Sequence, residues 1–140
     1  MSTLLLAAAS GVVAGIHAGV AARGFADVRP VHGFAFARLA SGPATATELA
    51  QHLGMTRQGA SQLVDELIDK GYVTRRAHPD DARARLVVLT DKGWACTRAA
   101  DAAAAEVLRP WVEDLGGRRL RELREDLARI APGGPLRPPW

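Results

Sequence analysis

The chain has a single cysteine, Cys96, in 140 residues. No intrachain disulfide can form, and no zinc site built on two or more thiolates is possible. A reducing compartment suits such a chain, and the cytoplasm is its expected location. Lysine is nearly absent as well: Lys70 and Lys92 stand beside 16 arginines and 27 alanines, a skew that reads as coding bias of a GC-rich genome. His17, His32, His52 and His78 show no H-x-x-x-H or comparable spacing, so no metal site is expected. There is no G-x-S-x-G, no P-loop and no G-x-G-x-x-G, which argues against an enzyme and leaves no expected cofactor.

A polybasic tail is also missing. The formal net charge is +3, and it is spread thinly. Residues 1–54 hold three Arg against Asp27 and Glu48, residues 55–98 hold eight bases against six acids, and residues 99–140 hold seven of each. The densest excess is Arg75, Arg76, Arg83 and Arg85 against Asp80 and Asp81, around one short turn. This permits an anionic partner without establishing one.

What is present suits one folded domain: 48% hydrophobic and 24% charged residues, with no internal repeat and no linker. Leu4 to Ala22 carries no charge and is long enough to raise the question of a membrane span. Met-Ser-Thr supplies no cation for a signal peptide, and a stretch so rich in Ala and Gly, with His17 inside, would serve a spanning helix poorly. Leu5, Val12, Ile16 and Val20 recur at helical spacing, so the segment reads as a helix that needs a partner surface, its Ala and Gly allowing close approach.

Pro30 opens a second helix through about Ala40, and Ser41-Gly42-Pro43 stops it. Thr45 and Glu48 form a capping box for a short helix ending at Gly54. Thr56 is the next N-cap, and its helix places Ala60, Leu63, Val64, Leu67 and Ile68 on one face before Lys70-Gly71. The period then becomes extended: Tyr72 to Arg76 and Arg83 to Leu89 read as strands around a turn at His78 to Ala82. Thr90-Asp91 caps a long helix to about Leu115, with Pro110 a candidate kink, and Gly116-Gly117 separates it from a final helix, Arg118 to Ile130.

Helix, turn, helix and hairpin in this order make a winged helix-turn-helix, in which the second helix enters the major groove and the hairpin reaches the minor groove or phosphates. The expected fold class is mainly α. Burying the apolar stripe of the Thr56 helix leaves Arg57, Gln58, Ser61 and Gln62 facing outward near its N-terminus. Arg can pair bidentately with guanine and Gln with adenine, while the helix dipole at Thr56 favours a phosphate. Gly59 costs about 1 kcal/mol of helix propensity relative to Ala, and close approach of DNA is one reason for it. A merely solvated helix face would carry the same residue types; the hairpin that follows favours DNA. Trp94 and Trp111 read as packing residues of the long helix.

The stretch TELAQHLGMTRQGASQLVDELIDKGYVTR (Thr47 to Arg75) followed by HPDDARARLVVLTDKG (His78 to Gly93) closely resembles the multiple-antibiotic-resistance regulator (MarR) family of bacterial transcription factors. The order of the remaining helices is similar to that family over nearly the whole chain. The resemblance implies a homodimeric repressor, less often an activator, released from a palindromic operator by a small aromatic or other anionic effector. It divides a single domain into dimerisation helices over 1–29 and 91–131, a winged module over 30–90 and an irregular tail over 132–140. The DNA-binding residues then expected are Thr56, Arg57, Gln58, Ser61, Gln62, Arg75, Arg83 and Arg85. His17, His32 and Phe36 are the expected effector-lining residues, between the first two helices and the winged module. In similar proteins an Asp of the recognition helix salt-links to a wing Arg, so Arg83 is read both as a partner of Asp65 and as a minor-groove contact. The family's wing usually reads Asp-Arg-Arg; here Ala82 stands between Asp81 and Arg83, and one cation is missing. The family's organic-hydroperoxide sensors carry a reactive Cys near the N-terminus, where this chain has none, and Cys96 reads as a small buried hydrophobe. The competing reading is a winged-helix module that binds only protein.

Overall fold

The computed structural model describes residues 1–131; the irregular tail expected over 132–140 lies outside the described residues. The elements run α1 (Ser2–Ala22), α2 (Pro30–Ala40), α3 (Ala46–Leu53), α4 (Arg57–Asp69), β1 (Val73–Ala77), β2 (Arg85–Leu89) and α5 (Asp91–Ile130). The mainly helical winged helix-turn-helix expected from the sequence is the observed fold. The long N- and C-terminal helices pack together outside it.

Local chemistry sets the helix boundaries. Thr45 Oγ1 accepts the Glu48 N–H at 3.2 Å while Glu48 Oε2 accepts the Thr45 N–H at 2.7 Å, completing the capping box of α3. These bonds hold the Glu48 carboxyl below its ordinary pKa, the Thr45 backbone N–H contributing most. Gly54 ends α3 in the left-handed conformation (φ 61°), which a side chain would disfavour. Thr56 Oγ1 caps α4 by accepting the Gly59 N–H at 3.0 Å. Thr90 does the same for α5, accepting the Gly93 N–H at 3.2 Å and donating its hydroxyl to the Gly71 carbonyl at 2.6 Å.

The wing strands differ in their bounds from the sequence reading. Strand β1 runs to Ala77 and β2 begins only at Arg85, with Val73 opposite Leu89 and Ala77 opposite Arg85. Asp81 causes the shorter return strand: its Oδ1 accepts the Arg83 N–H at 2.9 Å and its carbonyl accepts the Ala84 N–H at 3.1 Å. This side-chain turn takes Arg83 out of the ladder. Ala44, just before α3, exchanges two backbone hydrogen bonds with Val87 and ties the start of the helix-turn-helix to the sheet.

The core unites Val20, Phe36, Leu39, Leu49, Leu67, Tyr72, Val87 and Cys96 with their neighbours, so α1 to α5 and the sheet all meet in it. Leu67 is fully buried, and truncating such a residue to Ala typically costs about 2–5 kcal/mol. Helix α1 is long and apolar enough to cross a membrane by length and composition, but it lies along α5. The two backbones approach closely at two glycines: a Cβ on Gly15 would stand 2.6 Å from Val107 Cγ2, and one on Gly19 would stand 2.5 Å from Ala103 Cβ. Arg23 then closes the end of α1 with an ion pair to Glu106 at 2.6 Å. In α5 the backbone stays helical through Pro110 and leaves helical geometry at Gly116 (φ 77°, ψ 149°). The expected break is present at the glycine, and no break accompanies the proline.

Candidate nucleic-acid interface

Helix α4 buries Ala60, Leu63, Val64 and Leu67 and turns its other side outward. Thr56, Arg57, Gln58 and Gln62 are exposed and Ser61 is half-buried. They occupy the first turns, where the dipole and the free N–H groups favour an anion. Among the described residues, no side-chain hydrogen bond or ion pair occupies Arg57, Gln58 or Gln62. Gly59 has a reason of its own besides any approach of DNA, since a Cβ there would stand 3.1 Å from Thr56 Oγ1 and crowd the cap.

Arg75 and Arg85 share one face of the wing, because Arg75 lies opposite Val87 and Arg85 opposite Ala77, two positions along. Arg76 falls on the other face. Arg83, expected to open the return strand, lies outside β2 and belongs to neither face. The partner of Asp65 is also different: Arg75 Nη2 donates to Asp65 Oδ1 at 2.7 Å. Arg83 is not that partner, because the Asp81 turn holds its backbone beyond the end of β2. Arg83 and Arg85 are exposed at the outer part of the wing.

A second region lies between α1, α2 and the first half of α5. It is a cavity of about 420 Å³ whose walls include Ile16, His17, Val28, Phe36, Cys96 and Ala100. His17 and Phe36 both lie in this wall, whose other residues come from α1, α2, the junction between them and α5, and not from α3, α4 or the wing. His32 is not in its wall. That side chain is fully buried between α2 and α4: Nδ1 accepts the Arg29 N–H at 3.0 Å and Nε2 faces Glu66 Oε1 at 3.3 Å, without hydrogen-bond alignment. Burial pushes its pKa down, and the neighbouring Glu66 carboxylate opposes that.

Glu66 is the polar hub that sequence reading missed. Arg29 Nη2 reaches Glu66 Oε2 at 2.5 Å and Lys70 Nζ reaches Oε1 at 2.9 Å. The carboxyl pKa falls to about 2, through the Lys70 hydrogen bond first and the Arg29 hydrogen bond after it, against the opposing cost of burial. Lys70 Nζ also donates to the Asp27 carbonyl at 2.8 Å, and Tyr72 donates its hydroxyl to Asp27 Oδ1 at 2.6 Å. That bond lowers the Asp27 pKa; burial, then Asp27, raises that of the phenol. Lys92 Nζ stands over the Tyr72 ring, 4.3 Å from its centroid. The Glu66/Lys70 spacing of four was the one trace of this network in the sequence.

The sequence pattern that defines the MarR family matches residues 27–84, which covers α2 to the tip of the wing. No curated protein matches the chain. Among solved structures, a probable transcriptional regulator from Pseudomonas aeruginosa is 30% identical, with 93% of this chain and 96% of that one covered and a TM-score of 0.71. A mutant of MarR from E. coli, solved with operator DNA, is 19% identical, with 94% and 93% covered and a TM-score of 0.74. CouR from Rhodococcus jostii, solved with p-coumaroyl-CoA, is 20% identical, with 91% and 88% covered and a TM-score of 0.69. The last two share the fold; the first shares sequence along nearly its entire length. Together with a recognition helix whose polar N-terminal face is open, a hairpin carrying cations, and the pattern over residues 27–84, this makes the chain a member of the MarR family, which are DNA-binding transcriptional regulators and not enzymes.

Proposed function

We propose that the chain is a ligand-responsive repressor that binds a palindromic operator as a homodimer in the cytoplasm. The observation that carries this reading is the open face of α4, with Arg57, Gln58 and Gln62 exposed behind the Thr56 cap. Residues 30–90 form the DNA-reading module. Thr56, Arg57, Gln58, Ser61 and Gln62 meet the major groove, and Arg75, Arg83 and Arg85 bring positive charge to the flanking backbone. Residues 1–29 and 91–131 form the dimer. Leu4, Leu5 and Leu6 on α1 and Val112, Leu127 and Ile130 on α5 are exposed in the single chain, and a second copy would cover them.

The effector site is the cavity beside His17 and Phe36. Its walls are mainly apolar, which suits an aromatic ring, and His17 offers an imidazole to an acid group. The p-coumaroyl-CoA held by CouR is an example of an aromatic acid derivative on the same fold. Fluorescence anisotropy with DNA from upstream of the chain's own gene tests the reading. A saturable complex of two chains per palindrome, weakened by salicylate, is the expected result. A chain that shifts no such DNA would favour the protein-interaction module.

A further inference from the structure

The first turn of α2 has two working faces. Val28, Arg29, Pro30 and Gly33 belong to the wall of the cavity. From the same turn, the Arg29 guanidinium grips Glu66 of α4, and the buried His32 ring lies between the Arg29 backbone and the same carboxylate. Glu66 is about two turns beyond Gln58 and about one beyond Gln62 on the recognition helix. A second strut runs alongside, from Asp27 to Lys70 and Tyr72 at the far end of that helix.

Because Val28 is almost fully buried, the junction between α1 and α2 has little room to yield locally. A group larger than the cavity presses on Val28 to Gly33 as a unit, and that unit holds α4 by the charge-assisted bond of Arg29 to Glu66, with the buried His32 ring set against the same carboxylate. We infer that Glu66 is the positioning residue through which the cavity and the recognition helix are coupled: its grip by Arg29, backed by the buried His32 ring, turns displacement of the cavity wall into rotation of the DNA-reading face. The inference rests on the reading of α4 as the DNA-reading helix and of the cavity as the effector site, and it specifies how the two communicate.

The test replaces an unidentified effector by side chains that occupy the cavity. Gly33→Leu and Ala100→Phe fill it from opposite walls, and a Cβ on Gly33 meets nothing within 4 Å, so the first variant adds bulk without a clash at its root. Each is combined with Glu66→Ala, with folding checked by circular dichroism. In the native background each filler should weaken operator binding at least about tenfold, within the usual range of allosteric coupling. In the Glu66→Ala background the same filler should change affinity by less than about threefold, the two sites then being close to independent. Hydrogen exchange of the amides from Arg57 to Lys70 reads the coupling without DNA: the fillers should accelerate it only where Glu66 is present. Equal filler effects in both backgrounds, or no effect of either filler in the native one, would overturn the inference. Calorimetry with salicylate is a separate arm. Fillers that couple while salicylate gives no heat would sink the proposed effector class and leave the relay standing; salicylate binding without filler coupling would do the reverse.

Discussion

Asp65 of the recognition helix holds Arg75 of the outgoing wing strand at 2.7 Å, while Arg83, at the wing tip, holds nothing through its side chain among the described residues. One arginine ties the hairpin to α4, and in the proposed function the other is left to meet the phosphates. The exposed Asp65–Arg75 pair should add little to stability, yet Asp65→Ala and Arg75→Ala should both weaken operator binding by freeing the wing. Arg83→Ala and Arg85→Ala should each weaken binding almost equally on all sequences and lower the salt slope by about 1. Ala82→Arg restores the cation missing from the turn and should tighten binding at low salt. Anisotropy across a salt series checks all five variants, and unchanged slopes for Arg83→Ala and Arg85→Ala would place the wing away from DNA.

In the proposed function the open face of α4 carries the base reading. Arg57→Ala or Gln58→Ala should cost about 1–3 kcal/mol of operator affinity and relax base preference, as for side chains that reach base edges. Selection from randomised duplexes would show it. Wild-type affinity and selectivity in both variants would displace the reading surface from these residues.

His32 gives stability a pH dependence of definite sign. Its Nδ1 must be unprotonated to accept the Arg29 N–H, and burial depresses its pKa from 6.5. The unfolded chain takes up the proton near 6.5 and the folded chain only at lower pH, so the contribution present above 6.5 is lost as pH falls through the depressed value. Glu66 follows at more acid pH: its contribution is full above 4.5 and disappears as pH falls toward about 2. Urea melts from pH 8 downward should show the first decline below the ordinary histidine range, and His32→Asn should flatten that part while leaving the acid limb.

Cys96 should be inert toward peroxide. It is buried, and burial pushes its thiol pKa up to about 11, so the nucleophilic thiolate is scarce at neutral pH. Operator binding should survive peroxide treatment, with mass spectrometry showing an unmodified thiol. A loss of binding prevented by Cys96→Ser would reverse this assignment.

The apolar ends of α1 and α5 should be covered in a dimer. Sedimentation should find two chains together at micromolar concentration, with burial on the scale of obligate interfaces, about 2,000 Å² or more. Leu5→Glu combined with Ile130→Glu should give monomers that lose most operator affinity, since one half-site then binds alone.

The parts of the fold legible in the sequence were those written in local chemistry. Thr45/Glu48, Thr56, Thr90 and Gly54 act within three or four residues of themselves, so the helix boundaries could be read directly. The open face of α4 followed from its buried stripe by geometry alone. The wing tip was misjudged because alternation cannot show that Asp81 folds back on Arg83. The partner of Asp65 was misjudged because the pairing of Arg75 depends on how the hairpin is laid against α4. An imidazole suits an acid group against apolar walls, which is why the sequence points His32 toward an effector, but α2 turns it away from the cavity and toward α4. Glu66, Arg29 and Asp27 meet only across the tertiary fold, and no spacing along the chain announces that.

The close approach at Gly15 and Gly19 sets more than the packing of two helices. Val13, Ile16, His17 and Val20 on α1 form one wall of the cavity, while Val107 and Ala103 on α5 act as stops against the two glycines. The width of the cavity is therefore gauged by residues outside its wall. A single methyl at Gly19 would press α1 away from Ala103 and change the chamber with every lining side chain unchanged.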